Sequence, residues 1–249
     1  MDRSRLALLC MLALLLAFSS AAADGGASSV SWADTQDFGI RHGPRDAMRV
    51  AVTMDDCNNR EHVRALFGLA QEYGVPVTFF PTGSQLLEED AELWRAIAAS
   101  PCEIGSHTLN HQELTRLSYS GVSSDIRGSQ ERLDQVLGWH YGMVSLRPPY
   151  GSYRKDGKVM PHILQACLEN GYTHMVLWDV SQTDFYTARD QVMNGSILLF
   201  HAYKKDVDCL RRLIPWLIDR GYELVTVREL LGLPTIEIGP EPYDHNRDS

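Results

Sequence analysis

The chain has 249 residues, of which 44% are hydrophobic and 22% are charged. At roughly 100–200 residues per domain, this length fits one domain, or two small ones, with a sizeable buried core. The apolar fraction excludes a disordered chain, and 19 glycines and 11 prolines without a period exclude a collagen-like polymer. The formal net charge of −9 argues against nucleic acid or anionic lipid as a partner.

The first 23 residues carry the three parts of a secretory signal peptide. Arg3 and Arg5 precede the apolar run Leu6 to Phe18, and the small residues Ala21 to Ala23 supply an A-x-A end. The run is shorter than the about 20 residues that a membrane-spanning helix needs. The sequence therefore predicts a secreted or extracytoplasmic protein with residues 1–23 removed and no stable membrane partner. The alternative is an uncleaved membrane anchor.

Four cysteines remain in the rest of the chain: Cys57, Cys102, Cys167 and Cys209. In an exported protein this number permits two disulfides in any of three connectivities, and reduced, buried cysteines fit equally well. Their spacing is too wide for a metal-binding knuckle.

From Arg49 onward, strand-like runs alternate with stretches whose apolar residues recur every three to four positions. The strand-like runs begin near Val50, Val75, Glu103, Val144, His174, Ile197 and Glu223. The helical patterns cover residues 62–73, 86–99, 122–137, 159–170 and 207–220. This alternation predicts βα units and a mainly parallel sheet. Seven strands in about 180 residues favour a single closed or nearly closed α/β barrel over two domains.

Polar residues gather directly after these strands. They are Asp55, Asp56, His107, His111, Arg147, Tyr150, Asp179, Asp184 and His201. In a parallel barrel the strands point one way, so their carboxyl ends meet on one face, where active sites are built. The sequence therefore predicts a functional site on that face.

A metal site is one interpretation of part of this set. His107 and His111 are four residues apart, so on a helical turn both imidazoles could reach one ion, although such a pair is more often a surface or capping arrangement. With one carboxylate from Asp55 or Asp56, they would give three protein ligands and leave positions open, as in catalytic zinc sites. Cobalt or another divalent ion would suit the same donors.

The other polar residues in this set suggest acid–base chemistry. His201 could be a core histidine, but Asp184 or Asp179 nearby would orient it as a proton donor. Arg147 could pair with Asp55 and keep it ionised as a base. The prolines before Tyr150 make a stiff turn that could aim a backbone N–H at a developing oxyanion.

The ordered motifs resemble those of the polysaccharide deacetylases, metal-dependent carbohydrate esterases that include chitin, peptidoglycan and acetylxylan deacetylases. The motifs are TMDDC at 53–57, HTLNH at 107–111, RPPYG at 147–151, WDVSQTDF at 178–185 and LLFHA at 198–202. The resemblance runs from about Val50 to Leu231. It implies a distorted TIM-like (β/α)7 barrel at residues 49–232 as a single catalytic domain, after a linker and N-terminal segment at 24–48 and before a tail at 233–249.

The resemblance also implies a role for each matching residue. Asp55 would be the general base, held by Arg147, and Asp56, His107 and His111 would bind a divalent metal, Zn²⁺ in the first place and Co²⁺ or another divalent ion as the alternative. His201 would be the general acid, tuned by Asp184. The backbone amide of Tyr150 would face the oxyanion, while Leu199 and Trp178 would line the acetyl pocket.

Three positions depart from the family pattern. Cys57 and Asn58 follow Asp56 where Gly-Pro is usual, and cysteine is a poor choice if the position needs a positive φ, unless the loop differs or a disulfide ties it. Phe185 stands where tryptophan is common and would reshape the sugar-side wall. Ala202 replaces the usual aspartate after His201.

The resulting prediction is an N-acetyl hydrolase, active on an acetylated polysaccharide or oligosaccharide of the chitin or peptidoglycan type and acting as a monomer. An O-acetyl esterase on acetylxylan would use the same site. A non-catalytic carbohydrate-binding barrel is the alternative from another class.

Overall fold

Strand pairing closes into a ring in the computed structural model, which describes residues 38–239. The strands are β1 Gly39–Ile40, β2 Arg49–Asp56, β3 Thr78–Pro81, β4 Glu103–Ile104, β5 Arg154–Lys155, β6 Lys158–Val159, β7 Met175–Val176, β8 Ile197–His201 and β9 Glu223–Leu224. The parallel order is β4-β3-β2-β8, and β9 pairs with the first residues of β2. Single parallel bridges join Ser106 to Leu146 and Leu146 to Met175 of β7. A further parallel bridge joins Val180 to Leu198 of β8, so that the ring closes. The chain is thus a distorted (β/α)7 barrel, as the sequence predicted.

Helices surround this ring, and local sequence sets their ends. They are α1 Arg60–Tyr73, α2 Ala91–Ala98, α3 Tyr119–Leu137, α4 Pro161–Glu169, α5 Phe185–Gln191, α6 Lys204–Asp219 and α7 Val227–Leu231. The Asn59 side chain caps α1 by accepting from the His62 amide, and Gly74 ends it with a φ of 63°, which glycine adopts without a Cβ clash. Within residues 38–239, no helix has the length and apolar character needed to span a bilayer.

The helical prediction differs from the structure in three places. The segment predicted at residues 86–99 contains a 3₁₀ turn, Glu88–Asp90, before α2 begins. Arg60 binds the Asp90 carboxylate at 2.7 Å, which holds this turn. The short helices α5 and α7 are absent from the prediction because five to seven residues carry too little periodicity to detect.

The barrel includes chain on both sides of residues 49–232. Phe38 is buried, and β1 pairs in parallel with β7. After α7, the Gly142 amide donates to the Glu237 carbonyl, and the Gly239 amide donates to the His140 carbonyl. The predicted signal peptide at residues 1–23, the predicted linker as far as residue 37 and the end of the tail lie outside the described residues.

The four cysteines within residues 38–239 are all buried free thiols. The sequence allowed either disulfides or reduced, buried cysteines, and the structure contains reduced cysteines. Burial raises the pKa of each thiol, most simply at Cys167, where desolvation is the whole cause.

Asp179 joins the start of β8 to the N-terminal segment. Its Oδ1 accepts from the Ile197 amide at 2.9 Å, and its Oδ2 accepts from Ser196 Oγ at 3.0 Å and Arg45 Nη2 at 2.8 Å. These contacts lie at the amino end of β8, whereas His201 lies at its carboxyl end. The possibility that Asp179 orients His201 is therefore wrong, because its carboxylate is engaged at the opposite end of the strand.

We expect Asp179→Ala to lower the free energy of unfolding by about 2–3 kcal/mol, since it leaves the Ile197 amide without its acceptor and removes the carboxylate that pairs with Arg45. Urea unfolding followed by tryptophan fluorescence measures the loss. Asp190→Ala is the matched control, because Asp190 is exposed and pairs with neighbouring Arg189 at the surface, so it should change stability by less than about 0.5 kcal/mol. Equal stability of the two variants would contradict the assignment.

Candidate metal and catalytic site

A fully buried arginine holds the Asp55 carboxylate at the carboxyl end of β2. Arg147 Nη1 donates to Asp55 Oδ1 and to Thr53 Oγ1, both at 2.6 Å. Burial lowers the pKa of Arg147, and the adjacent Asp55 carboxylate opposes that shift. The two residues that the sequence suggested as partners are thus in contact, and both are buried.

The remaining Arg147 donors fix its guanidinium in the barrel. Nε donates to the Val176 carbonyl at 3.3 Å, and Nη2 donates to the Leu177 carbonyl at 3.2 Å. The guanidinium also lies over the Phe80 ring, 4.3 Å from its centroid, a cation–π arrangement. Arg147 therefore bridges β2 and β7 as well as pairing with Asp55.

Asp56, His107 and His111 form the group in the described residues that could hold a metal ion. Asp56 Oδ1 lies 3.5 Å from His107 Nε2 and 3.2 Å from His111 Nε2. Two ligands at about 2.0–2.1 Å from a tetrahedral ion are themselves about 3.3 Å apart, so these separations fit a shared cation. Asp56 Oδ1 is also buried without a hydrogen-bond partner, which a metal would supply.

Charge and hydrogen bonding prepare this group for a cation. Burial raises the pKa of Asp56, but the two neighbouring imidazoles outweigh burial and hold the pKa well below its usual range. The Nδ1–H of His107 donates to the Arg147 carbonyl at 2.7 Å, which leaves Nε2 free to bind a metal. Arg147 therefore orients both the Asp55 carboxylate and a candidate ligand.

The two histidines do not lie on a helical turn, so that part of the prediction is wrong. Residues 107–111 form an irregular loop in which Thr108 and His111 have positive φ values of 62° and 54°. The loop is held from outside, because the Leu109 amide donates to the Asp125 carbonyl and Asn110 donates to the Asp125 carboxylate. The fold, and not helical spacing, brings the two imidazoles together.

Tyr150 lies beside the metal group in a tight turn, Pro149–Gly151. Its φ is 60°, an uncommon conformation for a side chain of this size, and its ring packs edge-on against His111 at 4.7 Å between centroids. The ring is 70% exposed. A cavity of about 480 Å³ opens here, lined by His111, Gln112, Glu113, Arg116, Leu117 and Tyr150.

His201 ends β8 and is the register partner of Asp55 on β2. The register of the two strands therefore places this imidazole and this carboxylate side by side at the same edge of the barrel. The His201 side chain is about one-third exposed, and Tyr203 stacks on its ring at 5.8 Å between centroids. His201 is thus accessible to solvent, while Tyr203 covers one face of its ring.

The carboxylate next to His201 belongs to Asp206 and not to Asp184. Asp206 Oδ2 accepts from the His201 amide at 2.9 Å and lies 4.0 Å from His201 Nδ1. Asp184 caps α5, where its Oδ1 accepts from both the amide and the hydroxyl of Thr187 at 2.9 Å. No ion pair or hydrogen bond found within residues 38–239 joins Asp184 to His201, so the predicted partner is wrong.

The three predicted pocket residues have different surroundings. Leu199 is buried on β8 opposite Thr53, and Trp178 is half-buried against Gly151. The ring of Phe185 is covered by the Arg212 guanidinium at 4.2 Å. Their substrate contacts stay predictions.

Cys57 adopts a positive φ, a backbone conformation that is uncommon for cysteine. Its φ is 54°, directly after Asp56 at 62°. The thiol is buried and donates to the Met54 carbonyl at 3.5 Å. The loop next to the metal group therefore keeps the positive φ without glycine and without a disulfide.

Comparison with known proteins gives the family. The family model described as "Polysaccharide deacetylase" matches residues 42–184, more than half of the 249 residues. The chain belongs to the polysaccharide deacetylase family. It is 29% identical over 191 residues to the peptidoglycan-N-acetylmuramic acid deacetylase PdaC of Bacillus subtilis, which covers 73% of this chain and 38% of that protein. The chain thus spans about two-fifths of the length of this deacetylase.

Two solved structures share the fold. A peptidoglycan N-acetylglucosamine deacetylase has a TM-score of 0.69 at 23% identity, with 82% of this chain and 97% of that chain covered. A CE4 family pseudoenzyme from Bacillus anthracis has a TM-score of 0.68 at 18% identity, with 77% and 68% covered. Because the same barrel occurs in an enzyme and in a pseudoenzyme, the fold alone does not establish activity in a polysaccharide deacetylase.

We expect Arg147→Met to cost about 3–5 kcal/mol of folding free energy, because it leaves the Asp55 carboxylate buried and uncompensated. Denaturant unfolding measures the cost. The double variant Asp55→Asn/Arg147→Met should regain part of the loss, since it removes the uncompensated charge. Arg212→Met is the control, because Arg212 is exposed. A double variant less stable than Arg147→Met would contradict the pairing.

Proposed function

We propose that this chain is a metal-dependent hydrolase that removes N-acetyl groups from a sugar polymer of the chitin or peptidoglycan type. The observation that carries the proposal is one cluster at the mouth of the barrel. There a buried base held by arginine, a trio able to bind a cation and an accessible imidazole adjoin one another. Membership of the polysaccharide deacetylase family and the peptidoglycan substrate of the relative PdaC support the substrate class.

Asp56, His107 and His111 would hold the metal, and the mixed oxygen and nitrogen donors suit Zn²⁺ or Co²⁺. Such an ion, when bound, lowers the pKa of water and polarises a carbonyl oxygen. The Nδ1–H bond of His107 to the Arg147 carbonyl fixes the orientation of this ligand before any ion arrives.

Asp55 would act as the general base. Its Oδ1 is engaged by Arg147, while its Oδ2 lies 3.8 Å from His107 Nε2, on the side of the metal group. The free oxygen would take the proton of the attacking water as the water oxygen bonds to the acetyl carbon. Arg147 would hold this carboxylate in place for the step.

His201 and Tyr150 would act on the other atoms of the amide. The Tyr150 amide would donate to the oxyanion that develops on the acetyl group, and Leu199 and Trp178 would enclose the methyl group. His201 would give its proton to the sugar nitrogen as the carbon–nitrogen bond breaks, releasing acetate and a free amine. Hydrolysis of an ester at the same site would need the same groups. The predicted signal peptide would deliver the enzyme outside the cytoplasm, where such polymers lie.

The first test measures metal binding without activity. In titration calorimetry with Zn²⁺ or Co²⁺, we expect His107→Ala and His111→Ala to weaken binding by more than the roughly 10–100-fold that loss of an outer-shell partner costs. His174→Ala is the control, since His174 precedes β7 at the opposite end of the barrel. Binding that is unchanged in both ligand variants would place the metal elsewhere.

The second test measures acetate release from chitooligosaccharide, peptidoglycan and acetylxylan, with and without a chelator. We expect release from an N-acetylated substrate that stops on metal removal and returns when metal is added. Asp55→Asn and His201→Ala should each lower kcat by about 10²–10⁴-fold. Activity confined to acetylxylan would indicate the esterase instead, and glycan binding without any release would indicate a non-catalytic barrel.

A further inference from the structure

A buried carboxylate lies behind His201, at a position outside the five motifs that resemble the family. Asp206 is in the first turn of α6, five residues after His201. Its side chain is only 1% exposed. One oxygen, Oδ2, accepts from the His201 amide, and the other, Oδ1, is buried with no hydrogen-bond partner in the described part of the chain.

This environment leaves the Asp206 charge in need of a cation. A buried carboxylate with an unsatisfied oxygen is costly unless a positive group lies near it. The His201 ring is the ionisable partner within 4.0 Å, and its Nδ1 faces Asp206 Oδ2. A proton on this imidazole would offset the carboxylate charge.

The surroundings also fix the ring. Tyr203 stacks on one face of the imidazole, and the backbone from His201 to Asp206 is folded back by the bond from the Asp206 amide to the Tyr203 carbonyl. His62 of α1 holds the same turn through Nδ1 and the Ala202 carbonyl at 2.7 Å. With Nδ1 turned toward Asp206, the opposite ring nitrogen, Nε2, is the one left for substrate.

We propose that Asp206 is the positioning residue for His201. In this chain it takes the role that the motif pattern gave to Asp184, and it compensates for Ala202, which stands where the family usually has aspartate. The inference rests on the proposed function, in which His201 protonates the leaving amine. Asp206 acts through His201 and does not touch the substrate.

Asp206→Asn tests the proposal because an asparagine oxygen can still accept from the His201 amide, so mainly the charge is lost. We expect kcat to fall about 10-fold, with KM changed less than twofold. Loss of a negative charge beside the ring favours its neutral form, so the alkaline limb of the pH–rate profile should move toward acid. The other charged or titratable groups that the structure places beside this ring or beside Asp206 are Asp55, His62, Tyr203, Lys205 and Cys209, and all are unchanged in the variant.

NMR titration of the His201 ring gives a readout that does not require activity, with the signal assigned by comparison with His201→Gln. Its midpoint should fall measurably in Asp206→Asn and stay within roughly 0.2 unit, about the precision of such a titration, in the control Asp208→Asn. Asp208 is on the same helix, exposed and paired with Lys204. If Asp206→Asn does not fold, Asp206→Ser retains an acceptor oxygen and serves in its place.

The outcomes separate the two proposals. A shifted midpoint in a protein that releases no acetate would support the pairing and overturn the proposed function. If the wild-type protein is active, and Asp206→Asn has the same kcat and the same midpoint as the wild type, only the role of Asp206 is overturned. A shift produced by Asp184→Asn instead would restore the partner that the motifs predicted.

Discussion

The buried side chain of Arg147 is the contact on which the site depends. It neutralises Asp55 on β2, reaches two carbonyls at β7 and, through its own carbonyl, orients His107. A charge placed this deep is stable only when every donor is satisfied, so the surrounding strands cannot shift independently. One residue thereby sets the geometry of the proposed base and of one proposed metal ligand together.

The sequence predicts the barrel and most of the site because strand ends are local features. Asp55 and Asp56 end β2, His201 ends β8 and His107 follows β4, and the parallel ring brings these four residues together. Alternation of strand and helix is a strong pattern, and its meaning does not depend on distant contacts.

What the sequence does not predict depends on contacts between segments. Asp184 begins a helix too short to detect, so its carboxylate is used as a cap. Asp206 follows two lysines in a pattern that reads as an exposed helix start, yet packing buries it behind His201. The His107–His111 loop is shaped by Asp125, which lies on α3 and has no signal in the motif.

The direct pairing of Asp55 with His201 across neighbouring strands has a consequence for how this site can change. A slip of β8 by one residue would put Phe200 opposite the carboxylate and send the imidazole into the core. The separation of the proposed proton acceptor and proton donor is thus set by the register of two backbone strands. Loops around the mouth of the barrel can therefore differ in length without changing the spacing of these two side chains.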